Sequence, residues 1–111
     1  MLRARPYLNR PDNYVLRGLA WAYLGEKAQA IRDGERGMRR ALEGWDVMDT
    51  GYIRGMLARI YVVVNEPEQA VDQVEVLLTT PSYFAPGWFR VDPNFAPLRG
   101  NPRFERLLIG K

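Results

Sequence analysis

The sequence contains no cysteine and no histidine, and Ser82 is its only serine. A chain without cysteine forms no disulfide bond and has no thiolate nucleophile. The two absences together remove the usual zinc ligands, the commonest general base and any serine–histidine catalytic pair. We therefore expect a protein that is not an enzyme and that has no cofactor and no metal site.

Long apolar runs are also missing, since no segment approaches the roughly 20 residues that a membrane span needs. The first six residues lack the apolar stretch of a secretory signal. Hydrophobic residues make up 47% of the 111 residues, which is ordinary for a globular protein. We expect one domain over residues 1–111, in the cytoplasm and without contact to a membrane.

Charge is unevenly distributed along the chain. Residues 1–44 have a net charge of +4, residues 45–80 of −4 and residues 81–111 of +3. Such a chain can attract a second copy of itself or a charged peptide. A solvated helix surface with uneven charge is the simpler interpretation.

Two segments of the chain align residue by residue. Tyr14 of the first pairs with Arg54 of the second, and every later pair is separated by the same number of residues, which we call the offset. The aligned pairs keep the size and turn preference of each residue: Gly18/Ala58, Trp21/Tyr61, Leu24/Val64, Gly25/Asn65, Ala30/Ala70 and Ile31/Val71. Glycine and asparagine tolerate the left-handed conformation that ends a helix best. Small residues allow a second helix to approach closely, and the large aromatic fills the space between the two helices. The repeated unit is therefore predicted to be a helix, a tight turn and an antiparallel helix.

This arrangement of aromatic and small residues resembles the tetratricopeptide repeat (TPR), a family of helix hairpins with a period of about 34 residues. The resemblance covers residues from about Asp12 to Leu108. Three features depart from the family pattern. Arg54 stands at the leading aromatic position, and Gly34 and Gly37 replace an aromatic and an alanine. The offset between the two segments is also longer than the period of the family. The extra residues fit the connector around 44–51.

The last part of the chain resembles the closing segment of long bacterial repeat arrays. The residues concerned are Thr80–Tyr83 and Val91–Phe104, with Leu98-Arg99 followed at a fixed spacing by Pro102-Arg103-Phe104. Those arrays typically follow a kinase, adenylate cyclase-like or transcription-regulator domain. The resemblance implies the terminal part of a larger regulatory protein, which acts as a scaffold for protein–protein interaction or oligomerisation.

The predicted fold is all-α: antiparallel helix-hairpin repeats, as in a fragment of a TPR-like α-solenoid, with a C-terminal capping segment. Repeat units span about 12–43 and 50–80, and the cap about 81–111. Helices are expected at 12–24, 26–43, 50–64 and 67–79, with a short one near 86–90 and a last one from Pro102 to about Ile109. Asn101 is the expected N-cap of the last helix. Two repeats are fewer than such stacks usually need, so the apolar tail is expected to cover an open face.

Gly34 and Gly37 each cost about 1 kcal/mol relative to alanine within a helix, which indicates that a bulky group comes close. The group is either an aromatic of the same chain, such as Trp21 or Trp45, or a second copy docked in a groove. Residues Asp46 and Asp49 form a carboxylate pair in a predicted loop. We expect helix capping from them rather than a cation or catalytic site.

Arginines cluster on the second predicted helix, at positions 32, 36, 39 and 40. Arginine beside aromatic residues can bind nucleic acid. The carboxylates of Asp33, Glu35 and Glu43 interrupt this cluster, so a basic nucleic-acid-binding adaptor is the alternative function and not the preferred one.

Repeat proteins of the TPR type usually bind peptides in the concave face formed by the first helix of each unit. The resemblance implies these partner-binding residues here: Val15, Leu19, Tyr23, Tyr52, Met56, Arg59 and Val63. The implied partner is a protein or peptide, or a second copy in a homo-oligomer. In the other interpretation, the C-terminal tail or a neighbouring repeat covers this face.

Overall fold

The structure is a computed structural model that describes residues 10–109. Between these bounds the chain forms seven helices and no strand, so the predicted all-α class is confirmed. The helices are α1 (Pro11–Tyr23), α2 (Lys27–Gly44), α3 (Val47–Val63), α4 (Pro67–Thr79), α5 (Pro86–Val91), a 3₁₀ helix (Pro93–Leu98) and α6 (Pro102–Ile109). The predicted domain also includes residues 1–9 and 110–111, which lie outside the described residues. In the described part of the chain, no helix combines the length and apolar character that crossing a membrane requires.

The turns that end α1 and α3 have the backbone conformation that the sequence predicted. Gly25 has a φ of 83° and Asn65 a φ of 64°, both in the left-handed region. Ala30 and Ala70, which follow these turns at the same distance, are fully buried. The helix–turn–helix unit therefore occurs twice, and its buried small residues fall at equivalent places.

Backbone hydrogen bonds at the two turns repeat with the same offset as the sequence. The Glu26 N–H donates to the Trp21 carbonyl over 2.9 Å, and the Glu66 N–H donates to the Tyr61 carbonyl over 2.8 Å. Each bond spans six residues and closes the Schellman motif that ends many helices. Lys27 also reaches the second turn and forms an ion pair with Glu66. The two turns are therefore equivalent in hydrogen bonding as well as in sequence.

α1 and α2 pack closely at Gly18. A β-carbon placed there would lie 2.9 Å from the Ala30 carbonyl oxygen and 3.0 Å from Cδ1 of Ile60. These distances are shorter than ordinary van der Waals contact, so only glycine fits at this crossing without a shift. The predicted close approach is confirmed at this position.

Gly34 and Gly37 accept groups of the same chain, but not the tryptophans that the sequence suggested. The nearest atoms to a β-carbon at Gly34 are Cδ1 of Leu57 and Cδ1 of Ile60, both at 2.9 Å. At Gly37, Cγ1 of Val15 would lie at 2.8 Å. The two glycines therefore let α1 and α3 seat aliphatic side chains on α2. Sequence reasoning favoured aromatics because it could not identify the opposing helix face.

The residues of α1 that correspond to the packing residues of α3 are not large and aliphatic. α3 packs on the first hairpin through Leu57 and Ile60, whose counterparts in the first repeat are Arg17 and Ala20. The stacking face of α1 thus has a charged and a small residue where α3 has large aliphatic ones. The exposed side chain of Tyr23 borders one cavity of the groove described below, together with Arg59, Val62 and Val63 of α3. The other large exposed apolar side chains at this helix, Leu16 and Leu24, line neither cavity of that groove.

The C-terminal segment packs on the second hairpin. The 3₁₀ helix contacts α3, and α6 contacts α4 and α5. Its large side chains are almost fully buried: Phe89, Phe95, Leu98, Phe104 and Leu108. Asn101 caps α6 as predicted, because its Oδ1 accepts from the N–H groups of Arg103 and Phe104 at 3.0 and 3.1 Å.

Candidate peptide-binding groove

A groove runs between α3 and the C-terminal segment, and Tyr23 of α1 borders one end of it. Gly55 in the middle of α3 allows the tail to come close, since Cζ of Phe84 would lie 2.6 Å from a β-carbon there. The Phe84 ring stacks on Phe89 with 5.6 Å between ring centroids, and Trp88 meets its edge at 6.1 Å. An aromatic cluster of the tail therefore forms one wall of the groove and α3 forms the other.

Two cavities lie in this groove, and Arg59 borders both. The smaller cavity, of 150 Å³, is lined by Tyr52, Gly55, Met56, Arg59, Phe84, Trp88, Asp92, Asn94 and Phe95. The larger cavity, of 310 Å³, is lined by Tyr23, Arg59, Val62, Val63, Pro93, Asn94 and Pro97. Most of the lining side chains are apolar, so the arrangement suits a chain that inserts apolar groups on either side of one polar contact.

The structure brings together five of the seven residues that the resemblance implied. Tyr23, Tyr52, Met56, Arg59 and Val63 border the two cavities. Tyr23 is 62% exposed and Tyr52 is 47% exposed, so both can contact a ligand, whereas Met56 is almost buried.

The other two implied residues, Val15 and Leu19, line neither of these cavities. Val15 is fully buried against α2 beside Gly37. A partner therefore cannot reach Val15 while the first hairpin is folded. Leu19 is half-buried and packs on the core.

Arg59 is half-buried and lacks the partner that such a group usually has. Within residues 10–109, its buried Nε has no hydrogen-bond acceptor, and its Nη1 meets Sδ of Met56 at 3.7 Å. A thioether is a weak acceptor. Among the described residues, no carboxylate lies within ion-pair distance of this guanidinium. Arg59 also borders both cavities, so a ligand in the groove can supply its guanidinium with an acceptor.

Asp92 lines the smaller cavity but has partners within its own turn. Its Oδ1 accepts from the Asn94 N–H at 2.9 Å and from the Asn94 side-chain amide at 3.0 Å, which caps the 3₁₀ helix. This carboxylate is therefore held by the turn and leaves Arg59 unpaired.

Helix capping, expected from Asp46 and Asp49, is confirmed for the carboxylate of Asp46, whereas Asp49 lies in the first turn of α3. Oδ1 of Asp46 accepts the Asp49 N–H at 2.8 Å, and α3 begins at Val47 rather than near Thr50. These aspartates face an open cavity of 620 Å³, which Arg10 shares. Among the described residues, no group of three or more acidic side chains has an arrangement that could hold a metal ion.

Sequence reasoning did not identify the tail residues that complete the groove, namely Phe84, Trp88, Pro93, Asn94 and Pro97. It proposed only that the tail covers an open face. One signal was present in the sequence, because Gly55 lies in the middle of a strongly predicted helix where its counterpart is Val15. A glycine there indicates that another part of the chain comes close.

Comparison with known proteins gives no match: no family model, no curated protein and no solved structure is significantly similar to this chain.

Proposed function

We propose that the chain is a non-catalytic module for protein–protein interaction, of the TPR type, that works in the cytoplasm as the terminal part of a larger regulatory protein. The repetition of the turn hydrogen bonds, from Trp21 and Glu26 to Tyr61 and Glu66, supports the repeat assignment. The resemblance of the tail to the closing segment of bacterial arrays supports the position within a regulatory protein.

The ligand we propose is an extended peptide that carries one carboxylate between apolar side chains. The carboxylate accepts from Arg59, and the flanking apolar groups enter the two cavities beside it. A charge-assisted hydrogen bond to a guanidinium is stronger than a neutral one, and arginine can hold a carboxylate with two parallel bonds. The position of Arg59 beside both cavities, with no carboxylate partner among the described residues, is the observation that carries this proposal.

Selection of peptides from a random library on immobilised protein tests this function. Wild-type protein should enrich sequences with one Asp or Glu between apolar residues. Arg59→Gln removes the charge with little change in size, and it should abolish that enrichment. Arg106→Gln is the matched control, because Arg106 is an exposed arginine on α6 that lines neither cavity of the groove. Equal selection by wild type and Arg59→Gln would contradict the proposal.

Self-association is a second use of the same groove, favoured by the exposure of Tyr23 and Tyr52 beside it. In that case one copy inserts a segment into the groove of another. Sedimentation equilibrium over a range of protein concentrations separates the two uses, because a monomer at all concentrations contradicts self-association and leaves the peptide as the ligand.

A further inference from the structure

α2 presents four exposed arginines along one side. They are Arg32, Arg36, Arg39 and Arg40, and we refer to them as the arginine stripe; the first three follow one another at intervals of four and three residues, and Arg40 adjoins Arg39. Residues at these spacings lie on the same helix face, and eight residues extend over about 12 Å. Among the described residues, none of the four has an ion pair.

Two of the carboxylates that interrupt the stripe in sequence have partners on other helices. Asp33 is only 6% exposed and accepts from Nε and Nη2 of Arg17 at 2.8 and 3.0 Å. Glu35 accepts from the Tyr61 hydroxyl at 2.7 Å. The surface of α2 is therefore more positive than its sequence indicates, because its two central carboxylates have partners on α1 and α3.

The stripe is held in place at Arg36. The guanidinium of Arg36 lies 5.6 Å from the centre of the Tyr14 ring, a cation–π distance. Arg32 and Arg36 border a cavity of 290 Å³ that also includes Trp21, Gln29 and the ion pair of Arg17 with Asp33. Part of the stripe is thus directed by aromatic contact and does not extend freely into solvent.

The molecule itself contains the complementary arrangement. On α4, Glu68, Asp72 and Glu75 lie one helical turn apart and share Arg103 of α6, with nitrogen–oxygen distances of 3.5, 2.6 and 2.9 Å. The hydrogen bonds to Glu75 and Asp72 raise the pKa of Arg103. In this fold, carboxylates spaced one turn apart on one helix therefore form ion pairs with an arginine of a neighbouring helix.

We propose that the arginine stripe of α2 docks an acidic helix of a partner protein, with carboxylates at positions i, i+4 and i+7. Charge complementarity supports this occupant, since unpaired guanidiniums at the same spacing face outward. A long polyanion fits less well, because exposed Glu43 closes one end of the stripe and exposed Glu26 precedes the helix. The stripe lies on α2, apart from the groove. The proposal therefore goes beyond the proposed function, and an experiment can contradict either one without contradicting the other.

Fluorescence anisotropy tests the proposal with three labelled probes. The first is an alanine-rich helical peptide with glutamates at i, i+4 and i+7, and the second has the same composition with the glutamates spread around the helix. The third is an oligothymidylate of similar length. We expect the first probe to bind roughly tenfold more tightly than the others, with an affinity that falls as salt is added.

Charge-reversal variants locate the site. Arg36→Glu with Arg39→Glu should weaken binding of the first probe by roughly tenfold or more, because attraction becomes repulsion. Arg106→Glu is the matched control and should leave binding unchanged, and circular dichroism checks that each variant is folded. Equal binding of both peptides, or an unaffected double variant, overturns the proposal. Preferred binding of the oligothymidylate would overturn it in favour of nucleic acid. If the wild-type protein forms a salt-sensitive dimer that the double variant does not form, the proposal is overturned, because the stripe then binds a second copy of the chain.

Discussion

The ring of Phe84 occupies the space that a side chain at Gly55 would need, with Cζ only 2.6 Å from the position of an added β-carbon. This contact fixes the start of the C-terminal segment on α3 and sets the width of the groove that Arg59 borders. The absence of a β-carbon at one residue therefore determines whether the tail can form the second wall.

Gly55→Ala should displace the Phe84 ring and loosen the tail. Overpacking of this kind lowers the free energy of unfolding by about 1–3 kcal/mol, and the higher helix propensity of alanine offsets about 1 kcal/mol of that loss. Trp88 meets the edge of the Phe84 ring, so its indole N–H resonance in an NMR spectrum should shift. Gly44→Ala is the control, because an added β-carbon meets nothing within 4 Å there. An unchanged Trp88 resonance in Gly55→Ala would contradict the contact.

Gly37→Ala should destabilise the protein more than Gly34→Ala. A β-carbon at Gly37 would lie 2.8 Å from the backbone carbonyl oxygen of Pro11, which cannot move without shifting α1. At Gly34 the close atoms are the ends of the Leu57 and Ile60 side chains, which can change rotamer. Urea unfolding should show a loss of about 1–3 kcal/mol for Gly37→Ala and a smaller loss for Gly34→Ala. The reverse order would show that α1 and α2 cross differently.

Arg17→Leu should lower the free energy of unfolding by about 1–3 kcal/mol, because it leaves the buried carboxylate of Asp33 without its partner. Replacement of both residues by leucine should recover part of this loss, since a pair of apolar groups leaves no unsatisfied charge. A double-mutant cycle from urea unfolding measures the difference. Additive losses would show that Arg17 and Asp33 do not interact in solution.

Tyr61 should make stability depend on pH in the alkaline range. Burial, together with the hydrogen bond to Glu35, raises the pKa of its hydroxyl above the usual 10.0. The folded state therefore keeps a proton that the unfolded state loses, so the contribution is complete below the unfolded pKa and is lost as pH rises beyond it. Urea unfolding at about pH 9 and about pH 11 should show a larger fall for wild type than for Tyr61→Phe. Equal falls would contradict the assignment.

The helices were predictable because their signals are local. Gly25 and Asn65 ended two helices where expected, and Asn101 capped the last one. α3 began earlier than predicted because Asp46, rather than a residue nearer Thr50, supplies the cap.

The groove was only partly predictable, because its features depend on contacts between residues distant in sequence. The position of Phe84 over Gly55 joins two segments that are far apart along the chain, and periodicity does not identify the opposing residue. The unpaired state of Arg59 depends on what surrounds it in three dimensions. Val15 shows the converse, since a position implied for binding is used to pack α1 on α2.

The most direct test of the groove observes the Nε–H of Arg59 by ¹⁵N–¹H NMR, with its resonance assigned by its loss in Arg59→Gln. The ligands are a short peptide with a central glutamate between valines and the same peptide with glutamine in its place. The groove assignment predicts that the glutamate peptide shifts the Arg59 resonance in a saturable manner, because the guanidinium beside the two cavities gains a charged acceptor, and that the glutamine peptide binds more weakly. An Arg59 resonance that stays in place at saturating peptide would contradict the assignment of this groove as the binding site.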